Sequence, residues 1–181
     1  MPAEALGTRF DFYHLQIRSL EEALPRLLAK IVGQGLRAVV LAASPERVEH
    51  LNALLWTWDP SSWLPHGSAS DGSADQQPVW LTQSEENPNG ASVLVLTDGM
   101  WVERPEAFAR VLVLFDGRDE QALVQARQRW KGVRDAGGGL YYWQQTEAGG
   151  WEEKARARRT PEDPRREEGL ERKGSSEILP S

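Results

Sequence analysis

Apolar and polar positions alternate in blocks along this chain, short apolar runs giving way to stretches with helical period. Arg9-Phe-Asp-Phe-Tyr-His-Leu15 reads as a first strand. Ser19-Leu-Glu-Glu22 has the spacing of a capped helix start, and Leu20, Leu24, Leu27, Leu28 and Ile31 continue at helical period until Gly33 and Gly35 stop it. Pro25 predicts a bend or a later start, because beyond the first turn it removes a backbone hydrogen bond. Arg37 to Ala43 is an apolar run suited to a strand covered on both faces. It leads into Ser44-Pro45, a capping serine with proline at the first helical position, and Val48, Leu51 and Leu55 mark that helix's buried side.

Further strands are predicted at Val79–Thr82, Ser92–Thr97 and Arg110–Phe115, and a last helix from about Asp119 to Ala136. Gly137-Gly138-Gly139 ends that helix, and Leu140–Trp143 is expected to add an edge strand. Strands alternating with helices imply an α/β fold, a single three-layer domain with a mainly parallel sheet. The small polar residues from Gly67 to Pro78 predict a mobile surface loop. After Trp151 the sequence fills with Arg, Glu, Pro and Gly and loses the apolar residues that offset ordering entropy. The expected organisation is a folded domain over residues 1–151 and a charged, disordered tail over 152–181.

Composition narrows the function. The chain has 181 residues, enough for one well-buried α/β domain plus an extra segment. With no cysteine, disulfides and thiolate metal sites are excluded, and His14, His50 and His66 show no ligand spacing, so no metal or cofactor is expected. Met1-Pro-Ala-Glu-Ala-Leu-Gly has no basic start followed by an apolar run, and no segment approaches the roughly 20 apolar residues that span a bilayer. A soluble, cytoplasmic protein is expected. Residues 152–181 carry equal numbers of acids and bases, so the −6 net charge resides in residues 1–151. Such a domain repels duplex DNA, whose binding depends on neutralising phosphates.

Against that background one stretch reverses sign. Ala126-Arg-Gln-Arg-Trp-Lys-Gly-Val-Arg134 holds four cations and a tryptophan with no acid among them. At helical spacing Arg127, Lys131 and Arg134 share one stripe, Leu123, Ala126 and Val133 face an apolar side, and Trp130 is expected on the border. A second concentration is Trp56, Trp58 and Trp63, three of the eight tryptophans, at least one of which is expected to line a groove. Asp98-Gly99 and Asp116-Gly117 follow strong strands at the edge where open α/β sheets bind ligands. Val93 to Asp98 resembles the magnesium-holding strand of nucleotide hydrolases, yet no phosphate loop accompanies it, and Asp-Gly reads first as a turn. There is no Gly-x-Ser-x-Gly elbow, so no catalytic residues are assigned.

Several of these segments together resemble the chi subunit family of bacterial DNA polymerase III. They are Phe12-Tyr-His-Leu15, Leu54-Leu-Trp56, Trp63-Leu-Pro-His66, Ala126-Arg-Gln-Arg-Trp-Lys131 and Ala136-Gly137. Asn87-Pro-Asn-Gly90, Val93 to Asp98, Leu114-Phe-Asp-Gly117 and Tyr142-Trp-Gln-Gln-Thr146 look like the family's alphaproteobacterial branch, and the resemblance spans about residues 8–154. It implies a nucleotide-binding-like fold without a phosphate loop and a non-catalytic accessory subunit of the polymerase's clamp-loader assembly. The implied partners are the acidic C-terminal tail of single-stranded DNA-binding protein, which ends in Ile-Pro-Phe, and often the psi subunit, with DNA reached indirectly. Carried over by position, the tail-binding residues fall on Arg127, Trp130 and Lys131, with Trp56 and Trp63 as an aromatic wall. Arg134 joins them by its spacing. Leu123, in place of a lysine of some members, and Asp116, in place of an apolar residue, depart from the pattern. The alternatives are a nucleotide-dependent hydrolase or helicase-like enzyme using Asp98 and Asp116 with magnesium, and direct single-stranded DNA binding through the tryptophans and the basic helix.

Overall fold

A computed structural model describes residues 7–157. The strands are β1 (Arg9–Leu15), β2 (Ala38–Leu41), β3 (His66–Ser68), β4 (Val79–Thr82), β5 (Val93–Leu96), β6 (Arg110–Asp116), β7 (Gly139–Gln145) and β8 (Trp151–Ala157). The α-helices among the described residues are α1 (Leu20–Gly33), α2 (Pro45–Thr57) and α3 (Glu120–Asp135). The strands form one sheet in the order β3-β4-β2-β5-β6-β1-β7-β8. Every pairing is parallel except the outer one, where β8 runs antiparallel to β7.

Side chains alternate across the strands, with α1 and α2 covering one face of the sheet and α3, together with the segment around Trp101, Val102 and Phe108, covering the other. Val40, Val95, Leu112 and Leu114 face α1 and α2, where Leu24, Leu28, Leu51 and Leu55 meet them. Val39, Leu94, Val111, Val113 and Phe12 face the other way, toward Ala126, Trp130 and Val133 of α3. The result is the expected three-layer α/β domain.

Capping decides where the helices begin. Ser19 and Glu22 form a reciprocal capping box at α1, and Ser44 accepts from the Arg47 amide at α2. Pro25 does not delay α1. It lies inside the helix with its ring buried against the core, so apolar contact offsets the hydrogen bond it cannot make. At the start of β1, Asp11 is fully buried and clamped by Arg9 at 2.7 Å, Arg110 at 2.7 Å and the Trp143 indole N–H at 2.8 Å. These partners make the buried charge tolerable.

Three expectations are corrected. Residues 67–78 are not a simple surface loop. Gly67 and Ser68 pair with β4, Asp71 accepts hydrogen bonds from the Ser68 amide and hydroxyl, and Ala74–Gln76 forms a 3-10 turn. β7 is not an edge strand, because the sheet continues past Trp151 into β8. The expected tail boundary at residue 152 therefore moves: residues 152–157 are strand, and 158–181 lie outside the described residues. The seven residues of β8 alternate partly buried Trp151, Glu153, Ala155 and Ala157 with exposed Glu152, Lys154 and Arg156. A register shift in its pairing beside Tyr142 and Trp143 bends it, so Trp151 packs on the α1 face and Ala155 and Ala157 on the α3 face. Its exposed charges suit an outermost strand.

Candidate functional site

Helix α3 is built as a two-sided element. Asp119 caps it by accepting from the Gln121 and Ala122 amides, and Gly137 at φ +82° closes it. Ala126, Trp130 and Val133, at spacings of four and three, form its buried stripe, with Leu123 partly buried beside them. Trp130 does not stand at an exposed border. It is 3% exposed, edge-on to Phe12 at 5.3 Å and to Tyr142 at 6.3 Å. Its position between Ala126 and Val133 is the signal that marks it as core.

The cations divide between the two flanks of α3. Arg129 is structural: its guanidinium lies 4.9 Å from the Trp101 ring and donates to the Gly99 and Met100 carbonyls. Arg127 and Lys131 are exposed and Arg134 is half-buried, in loose contact with Asp135 at 3.5 Å. By helical spacing these three share the opposite flank with Val124, which is 50% exposed and was not singled out from the sequence. This flank faces β7 and β8. The charge on Arg127 acts on both His14 and Tyr142, and Tyr142, Ala155 and Ala157 pack on this side of the sheet. The exposed wall of α3 on this side thus carries Arg127, Lys131 and Val124, with Ala155 and Ala157 of β8 partly buried on the same face of the sheet.

Beneath that wall lies a polar pair inside the core. His14 Nδ1 meets the Tyr142 hydroxyl, and the imidazole stacks on Phe115 at 5.1 Å. A side chain at Gly117 would collide with the His14 ring, which is why the turn after β6 closes on glycine. Burial pushes the Tyr142 hydroxyl up to about 12, partly opposed by Arg127. Burial also holds the His14 imidazole below its usual 6.5, against the nearby Asp116 carboxylate, which pulls it up. A histidine that protonates more easily unfolded contributes stability above pH 6.5 that is lost as pH falls below it. The melting temperature should therefore drop between pH 7.5 and 5, and His14→Gln should shrink that drop whatever it does to absolute stability.

Trp56 and Trp63 stand elsewhere. They are 57% and 78% exposed, and Trp56 packs at 4.7 Å on buried His66, whose ring nitrogens reach the Leu64 and Asn52 carbonyls. They belong to α2 and the segment leading into β3, on the opposite face of the sheet from α3 and four strand spacings from β6, roughly 19 Å. The six expected site residues thus divide into an α3 group of Arg127, Lys131 and Arg134 above buried Trp130, and a separate indole pair. The structure does not form the single groove between them that the sequence suggested, because α2 and α3 cover opposite faces.

The carboxylates at the sheet's carboxyl edge are held by arginines. Asp98, at φ +54° in its turn with Gly99, accepts from Arg47 Nε at 3.0 Å, and Arg47 also bridges to Glu21 at 2.8 Å. Asp116 accepts from the Arg118 side chain at 2.9 Å and from its amide, which keep the Asp116 carboxyl below its ordinary value. Among the described residues no group of three or more His, Cys, Asp or Glu could hold a metal ion.

The sequence model of the DNA polymerase III chi subunit family matches residues 8–140, from the start of β1 through α3 into β7. The chain belongs to that family. It is 32% identical over 115 residues to a protein of Rickettsia prowazekii (strain Madrid E) named "Probable DNA polymerase III subunit chi", covering 60% of this chain and 70% of that protein. Membership makes this a DNA replication protein and a subunit of the polymerase III complex. The matched span contains both the cationic flank of α3 and the Trp56 and Trp63 surface, while β8 lies beyond it. No described helix is long and apolar enough to cross a membrane.

Proposed function

We propose that this chain is a non-catalytic linker of the polymerase III holoenzyme, which binds the acidic C-terminal tail of single-stranded DNA-binding protein and thereby ties the clamp loader to coated single-stranded DNA. The observation that carries this reading is the flank of α3, where Arg127 and Lys131 are exposed on a chain of net charge −6. Acidic side chains and a terminal carboxylate suit those cations, and the exposed Val124 with partly buried Leu123 beside them suits an apolar end. Trp130 serves from below by seating α3 on the sheet.

A linker needs a second surface. The exposed Trp56 and Trp63 supply one on the opposite face, and we assign it to the clamp-loader side, where psi is the candidate partner. Two faces let both partners bind at once. DNA is then reached through the coating protein, in the cytoplasm at the nucleoid. A magnesium-dependent hydrolase is disfavoured because Asp98 and Asp116 already serve Arg47 and Arg118.

Titrating the protein with an acidic peptide ending in Ile-Pro-Phe tests the reading. Binding in the micromolar range that weakens several-fold between about 50 and 300 mM salt is expected, since much of the contact is exposed charge. No binding at low salt would end it, and comparable binding by bare oligonucleotide would favour direct DNA contact.

A further inference from the structure

Where β1 turns toward α1, at the carboxyl edge of the sheet, three successive backbone amides share one acceptor. The N–H groups of Gln16, Ile17 and Arg18 converge on Gln145 Oε1, at 3.2, 2.9 and 2.8 Å. Successive amides converging in this way form a concave nest, a geometry suited to an anion. The donors that follow are matched separately. The Ser19 amide donates to the Glu22 carboxylate and the Glu22 amide to the Ser19 hydroxyl, which closes the start of α1. Gln145 reaches the nest because β7 runs one residue past its last pairing with β1, that of His14 with Gln144.

Glutamine is an ill-matched occupant of this place. Its amide oxygen has two lone pairs and receives three donors. Its Nε2 is buried with no hydrogen-bond partner among the described residues, in a residue only 4% exposed. A buried donor left unmatched is costly. The surroundings thus offer hydrogen bonds to a group that accepts and none to one that donates. That is the preference of a carboxylate or a phosphate.

We propose that the loop between β1 and α1 is an oxyanion site which this chain fills from within, Gln145 standing in for the anion. Open α/β sheets bind ligands at this edge, and here the amides that would receive a phosphate are already taken. The same contact fastens the β7–β8 hairpin to the start of α1, with help from Arg18, whose guanidinium donates to the Ala148 carbonyl at 3.3 Å. A side chain from beyond the region that the family model matches therefore closes a loop inside it. Neither α3 nor its cations take part.

Thermal melting of the full chain tests this with Gln145→Glu, Gln145→Met and Gln145→Ala beside wild type. The first substitution keeps the shape and offers only acceptors, and the second keeps the size without the amide oxygen. Gln145→Glu should melt at or above wild type, and Gln145→Met about 5 °C or more below it, because the three amides lose their acceptor. If Gln145 only fills space, the order reverses, since a buried carboxylate is costly and an apolar side chain of similar volume is tolerated. That reversed order would overturn the proposal. Gln145→Ala should also open the nest to an outside anion. Inorganic phosphate at about 10 mM should raise its melting temperature by about 3 °C more than chloride at matched ionic strength, and wild type should respond to the two salts alike. A variant that responds to phosphate no more than wild type does would contradict the proposal. Should Gln145→Ala fail to fold, the order of the other two variants decides.

Discussion

Reversing both exposed cations of α3, Arg127→Glu with Lys131→Glu, should weaken binding of the acidic tail peptide by about 100-fold or more. Each reversal exchanges an attraction for a repulsion at the same place. Two such changes at a partly exposed interface total about 3 kcal/mol, which is roughly two orders of magnitude in affinity. Both side chains are exposed, so the fold should be retained, and the change in thermal midpoint should be confined to the modest effect of reversing the charge that Arg127 places near His14 and Tyr142. The informative control lies on the other face. Trp56→Ala with Trp63→Ala removes two large exposed rings, and peptide affinity should change less than about 2-fold. If the indole pair matters as much as the cations, the peptide crosses between surfaces that the fold separates, and the account is wrong.

Trp130→Ala should be among the most damaging single substitutions in the matched region. The indole is buried between Phe12 and Tyr142 in the layer that joins α3 to β1 and β7, and its removal leaves a cavity under the helix. Such losses cost about 3–5 kcal/mol, a melting point lower by roughly 6–20 °C in a domain of this size. Peptide binding should fall with it, because Arg127 and Lys131 are positioned only while α3 is seated. Trp130→Phe separates packing from recognition. The indole N–H is buried with no hydrogen-bond partner among the described residues, so phenylalanine should restore most of the stability and nearly all of the binding. A Trp130→Phe protein that is stable and yet fails to bind would mean that the indole touches the peptide.

Much of the fold was legible because its signals are local. Ser19 and Glu22, Ser44 and Pro45, and Asp119 with Gly137 set helix ends by hydrogen bonds within a few residues. The apolar runs of β2, β4, β5 and β6 are what strands covered on both faces require. What escaped depended on tertiary context. β3 has only three residues, His66-Gly-Ser68, and becomes a strand because β4 lies beside it. β8 is concealed by its charges, although its alternating exposure is the period of a strand. The cations of α3 were evident from sequence, as was their stripe. Their counterpart was not, because the face on which α2 and α3 pack depends on the strand order, and no local pattern encodes that order. The sequence also held the correction for Trp130, whose spacings from Ala126 and Val133 continue the buried stripe.

The most direct test of the linker account is to map the peptide's footprint by amide and indole chemical-shift changes in the labelled protein. The account predicts shifts concentrated on residues 123–134 of α3 and on Tyr142 and its neighbours in β7, with the Trp56 and Trp63 indole N–H signals unmoved. Shifts centred on Trp56 and Trp63, with α3 silent, would contradict it.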